Sequence, residues 1–202
     1  MTQFLIFLAL QAATPAAAAP AATTPAPDSC RIDFNASLAL GQEAFDQDMN
    51  GGWRALAGRP GCEGVAADLI HAYRANLEAH LSILYWHEGQ LRANIGQYPE
   101  AIRLMELSRK PEDRFGWNPY VDATIAFLRG DRTALVAART QLAGLPRPAG
   151  FEDRTLPNGL HVTWPMNLEV VDGLVRCFGR PYREAYSLPE CREPGEAQRT
   201  SR

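Results

Sequence analysis

Lysine is almost missing from this chain: of 20 basic residues, only Lys110 is not arginine. Against 23 acidic residues this leaves a small negative charge with no basic stripe, so nucleic acid is not an expected partner. Long apolar runs are missing as well. The run at residues 4–10 is seven residues long, whereas a membrane-spanning helix needs about 20. No membrane span is expected. Cysteine is scarce, and no two of the four form a C-x₂-C pair, which excludes the common zinc and thioredoxin-type spacings. No serine sits in a G-x-S-x-G elbow. The glycine-rich stretch Gly58-Arg59-Pro60-Gly61-Cys62-Glu63-Gly64 lacks the Lys and Ser/Thr of a phosphate loop. No cofactor, metal or catalytic residue is therefore expected from motifs.

What is present begins with a leader-like start. The short apolar run followed by Ala-rich sequence fits a secretory signal peptide over residues 1–19, although no Lys or Arg precedes Phe4. Residues 20–29 continue as an Ala/Pro/Thr linker, which has too little side chain to bury for folding. Residues 30–191 make a single helical domain, and 192–202 a charged, flexible tail. The expectation is an exported protein, periplasmic or secreted. In an oxidising compartment the four cysteines favour two disulfides, for which three pairings exist. Cys30–Cys62 and Cys177–Cys191 are expected, because each joins neighbours along the chain and ties a loose end to a helix.

Apolar periodicity predicts an all-α fold. Leu38, Ala39, Phe45 and Met49 suggest one helix ending at Asn50-Gly51-Gly52, and 53–57 a short piece. Further helices are predicted over 65–76, over 79–95, after Pro99, after an Asn118-Pro119 cap, after an Asp131 cap, and over 166–178. Residues 79–95 are apolar nearly all round, the mark of a helix buried from several sides. Asn158-Gly159 suggests a short hairpin within 156–162.

A period is also present. Gly96 and Gly130 lie 34 residues apart (130 − 96), Ala67, Ala101 and Leu135 step by the same interval, and Gly89 pairs with Ala123. With Gly96-Gln97-Tyr98-Pro99-Glu100-Ala101-Ile102 and the bulky Met105, this stretch resembles the tetratricopeptide repeat, a helix–turn–helix unit. Glu88 and Leu135 depart from that family's pattern. The resemblance implies two to three antiparallel helix pairs plus a C-terminal helix, with a concave groove lined by the first helix of each pair. Ile83, Trp86, Gln90 and Asn94 would line it from one helix, and Trp117, Tyr120 and Thr124 from the next. Aromatic and amide side chains suit peptide recognition, with core packing as the alternative account of the aromatics. A lysine clamp for a C-terminal carboxylate is excluded, since Lys110 is the only lysine.

The expected function is a protein- or peptide-binding module of the cell envelope. One alternative is a small periplasmic hydrolase or lyase using a His/Glu pair, drawn from His71, His80 and His87 with Glu78 and Glu88. Another is a structural assembly partner. His80 and His87 share a helical face but rise about 10.5 Å apart, too far for one metal ion.

Overall fold

Folding these patterns gives ten α-helices and one two-stranded sheet among residues 28–75, 77, 81–156 and 161–192, which the computed structural model describes. The expected leader, most of the linker, the Asn158-Gly159 turn and the tail beyond Arg192 lie outside the described residues. Asp28 and Ser29, placed in the linker by composition, belong to a 3₁₀ turn that ends at Cys30.

The single helix expected over the first 15 or so residues of the domain is broken in two. Asp33 caps α1 (Phe34–Leu38) by accepting from the Ala36 N–H at 2.9 Å. The chain then bends and forms a π-helical turn, Glu43–Gln47. That turn puts both Phe45 and Asp46 fully inside and leaves Met49 57% exposed. Phe45 stacks on Tyr73 with ring centroids 3.6 Å apart. Packing on Tyr73 thus overrides the straight helical stripe read from the sequence. After α2 (Gly52–Ala57), α3 runs over Glu63–Arg74.

Four helices follow as two hairpins: α4 (Leu81–Asn94) with α5 (Tyr98–Leu107), and α6 (Trp117–Leu128) with α7 (Arg132–Ala143). Their connections are too short for anything but antiparallel neighbours. The two turns carry the same hydrogen bonds at a step of 34 residues. Gly96 N–H donates to Ala93 O at 3.0 Å and Gln97 N–H to Arg92 O at 2.9 Å; Gly130 donates to Phe127 O at 3.0 Å and Asp131 to Ala126 O at 2.9 Å. Both glycines have positive φ, 78° and 70°, as this helix-ending motif demands. Gly89 sits where α4 and α5 touch: a Cβ there would lie 3.1 Å from Met105 Cγ and 3.3 Å from Ala101 O. Asp131 caps α7 as expected. The start of α6 differs. Asp113, not Asn118, accepts the N–H groups of Trp117 and Asn118, while the Asn118 side chain bonds both the N–H and the carbonyl of Lys110.

Helix α4 is the shared wall of two cores, which accounts for its apolar character all round. Leu84 and Leu91 pack with Phe45, Leu56, Leu69 and Ile70 on the N-terminal side. Trp86 and Ala93 pack with Met105, Tyr120, Leu135 and Leu174 on the other. The hairpin expected near 156–162 is a pairing of β1 (Arg154–Thr155) with β2 (His161–Val162). Beyond α8 (Leu168–Arg176) come two short helices that periodicity did not suggest, α9 (Tyr182–Ser187) and α10 (Pro189–Arg192). No helix among the described residues is long and apolar enough to cross a membrane.

Both expected disulfides are present, Cys30–Cys62 with a separation of 32 residues and Cys177–Cys191 with 14. The second encloses α9 and returns α10 to the end of α8. Removing it as Cys177→Ser/Cys191→Ser is expected to cost about 3 kcal/mol through the freed unfolded chain. A lower midpoint of urea unfolding, with a slope at or above the wild-type value because the freed chain exposes more surface, is the result that checks it.

Candidate functional site

The residues expected to line a groove do converge, but inside the protein. Trp86 on α4 meets Tyr120 on α6 at 4.7 Å between ring centroids and Trp117 at 5.1 Å. Trp86, Tyr120 and Thr124 are 3%, 3% and 1% exposed, while Ile83, Gln90, Asn94 and Trp117 are half-buried. The Thr124 hydroxyl turns back to Tyr120 O at 3.0 Å, and the Trp117 indole N–H donates to Ser108 O at 2.9 Å. What covers the stripe is α9. The Tyr182 hydroxyl accepts from Gln90 Nε2 at 3.5 Å, and Tyr182 N–H donates to the Tyr98 hydroxyl at 3.2 Å. Burial pushes the Tyr120 hydroxyl well above its ordinary range, reinforced by the neighbouring Tyr186 and Tyr182. The stripe is thus occupied by the chain's own C-terminal segment and is not an open groove. The spacing Tyr182, Ala185, Tyr186 after Pro181 is the signal that could have announced this helix.

His87 and Glu88 meet different partners for a simple reason: consecutive helical residues point about 100° apart. His87 faces the π-turn, where Nδ1 donates to Asp46 Oδ1 at 2.7 Å. The same carboxylate accepts from Trp53 Nε1 at 2.8 Å and from Gln47 Nε2. Glu88, next along α4, faces α3 instead and is fully buried. Its Oε2 accepts from Arg74 Nε at 2.6 Å, with His71 Nδ1 3.4 Å and Arg92 Nη2 3.7 Å from Oε1. These networks tie the π-turn and α3 to α4. His80 and Glu78 lie outside the described residues. Among the described residues no three His, Cys, Asp or Glu side chains come together to hold a metal ion.

A third place presents apolar surface outward. The irregular chain between α7 and α8 folds against the loop before α6 and leaves an apolar depression of about 450 Å³. Phe115, Pro148, Phe151 and Met166 form its walls, and Arg154 stands on its rim. Phe115 is 46% exposed. The walls are fixed from behind. Trp164 packs edge-on to Phe151 at 5.1 Å, its indole N–H donates to Leu145 O at 3.1 Å, and its backbone N–H donates to Asp153 Oδ1 at 3.0 Å. Asp113 holds the Phe115 loop by accepting from Phe115 N–H at 3.1 Å. Burial opposes ionisation of Asp113, but the backbone N–H groups of Asn118, Trp117 and Phe115 outweigh it and keep the carboxyl below its usual range. Gly116 completes the loop with φ of 79°, and a Cβ there would lie 2.7 Å from Leu142 and Leu145. Apart from the short hairpin, residues 146–165 read as irregular chain in the sequence, because the walls come from residues far apart and share no period.

No family model, curated protein or solved structure matches this chain.

Proposed function

We propose that this is an exported helical-repeat protein of the tetratricopeptide type that binds a protein or peptide in the cell envelope. The observation that carries the binding reading is the apolar depression around Phe115, Phe151 and Met166, in which Asp113 holds the Phe115 backbone and Phe151 packs on Trp164, itself held by Asp153 and Leu145. A preformed apolar hollow of this size suits one large side chain of a partner, the kind of anchor that dominates protein interfaces. Two disulfides support an oxidising compartment, and with it export. The mature surface then meets envelope proteins rather than cytosolic ones.

The test uses Phe115→Asp, which puts a charge at the mouth of the depression. Phe115 is about half exposed, so the substitution should leave stability within about 1 kcal/mol. Cross-linking in intact cells through a photoreactive residue at position 151 should trap a discrete adduct in the otherwise wild-type chain. Phe115→Asp should remove that adduct while leaving the urea midpoint in place. An adduct of unchanged intensity in Phe115→Asp would place binding elsewhere.

A further inference from the structure

The hollow is apolar, but one feature of its rim is not. Arg154 lies in β1 with its side chain exposed, and among the described residues it makes no ion pair and no side-chain hydrogen bond. Two other arginines are different. Arg147 is held by Asp153 at 3.2 Å, and Arg139, on α7, by Asp172 at 2.7 Å. Among the described residues no carboxylate lines the hollow. A free guanidinium beside an apolar floor selects a ligand with an apolar body and an anionic group next to it, because the anion gains a charge-assisted hydrogen bond without displacing an existing partner.

The backbone adds a second constraint. β1 pairs with β2 on one side, Arg154 opposite Val162 and Thr155 opposite His161. In this two-stranded sheet its other edge has no strand beside it among the described residues. An extended peptide can use such an edge through its main chain, as a fatty acid or a steroid cannot. On an extended segment, side chains two residues apart share a face at a spacing of roughly 7 Å. One can therefore enter the hollow while the other meets the arginine.

Resting on the binding reading above, we propose that the occupant is an extended segment of a partner protein carrying a large apolar residue with an aspartate or glutamate two positions away. The apolar side chain fills the space between Phe115, Phe151 and Met166, and the carboxylate pairs with Arg154. The acid is a side chain in this arrangement, so the segment lies within the partner's chain and does not depend on its C-terminus.

Panning a random nonapeptide phage library against the full-length oxidised protein tests this. Enriched peptides should share an apolar residue with an acid two positions from it. A resynthesised, C-terminally amidated member should bind wild type about tenfold more tightly than its Gln or Asn counterpart, the effect of one charge-assisted contact. Arg154→Gln should bind both forms equally, and Phe115→Asp neither. Enrichment of apolar peptides with no acid, blocked by Phe115→Asp, would overturn the carboxylate inference and leave the binding reading standing. Peptides that lose affinity only when the C-terminal amide replaces a free carboxylate would overturn it in favour of end recognition. No enrichment at all, or peptides indifferent to Phe115→Asp, would overturn both.

Discussion

Asp46→Ala is expected to destabilise the protein by about 3–5 kcal/mol, the effect of removing one partner from a buried charged network. Asp46 is fully buried in the π-turn, and its carboxylate is the common acceptor for Trp53, His87 and Gln47. Its removal strands the indole N–H and the imidazole N–H in an environment where water cannot replace it. The bond from Arg54 to Asp46 O at 2.9 Å, which holds α2 against the turn, is to the main chain and survives Asp46→Ala, so the loss is that of the carboxylate. The effect has a pH signature with a definite sign. Burial raises the Asp46 carboxyl, but the hydrogen bond and charge of His87, with the Trp53 hydrogen bond, outweigh it and the net direction is down. A carboxyl lowered on folding contributes stability in full above its unfolded value, about 3.9. That contribution disappears as the pH falls through the folded value. Urea unfolding should therefore show the largest gap between wild type and Asp46→Ala near neutrality. The gap should close as the acid limb below about pH 4 is entered. A gap independent of pH would mean that Asp46 acts through packing alone.

The parts of this fold that were legible in the sequence are those where one helix meets its immediate neighbour. Gly96, Gly130 and Asp131 announce turns because positive φ and a side-chain cap are local demands. The apolar girth of α4 announces a shared wall, and the cysteines pair with their neighbours along the chain. What was not legible is chosen by distant contacts. The π-turn exists because Phe45 stacks on Tyr73, 28 positions away (73 − 45), and because Asp46 reaches His87. The start of α6 went to Asp113 over Asn118, because the Asn118 side chain is taken up by the Lys110 backbone. The hollow near Phe115 needs residues from two loops on either side of the second hairpin, and no spacing rule joins them. The cover over the aromatic stripe comes from α9, six residues long, whose one-turn spacing Tyr182, Ala185, Tyr186 is a weak signal, yet its two tyrosines are enough to bury the stripe.

That covering makes Trp86→Ala a test of what the stripe is for. Trp86 is 3% exposed and touches Tyr120 and Trp117 within a core that also holds Met105, Leu174 and Tyr182. Truncating a tryptophan in such a place removes its transfer free energy and leaves a cavity, for an expected loss of about 3–5 kcal/mol. A residue lining an open binding face would instead shift stability by about 0.5 kcal/mol or less. Tyr186→Ala supplies the control, since Tyr186 lies on α9 against Tyr182 at 5.5 Å and is only partly buried. Its loss should be smaller and should add less than fully to that of Trp86→Ala, because both loosen the same contact between α9 and the α4–α6 face. Equal stability of Trp86→Ala and wild type in urea would mean that α9 does not rest on this face in solution. The stripe would then be open to a partner, as the residue spacing alone suggested.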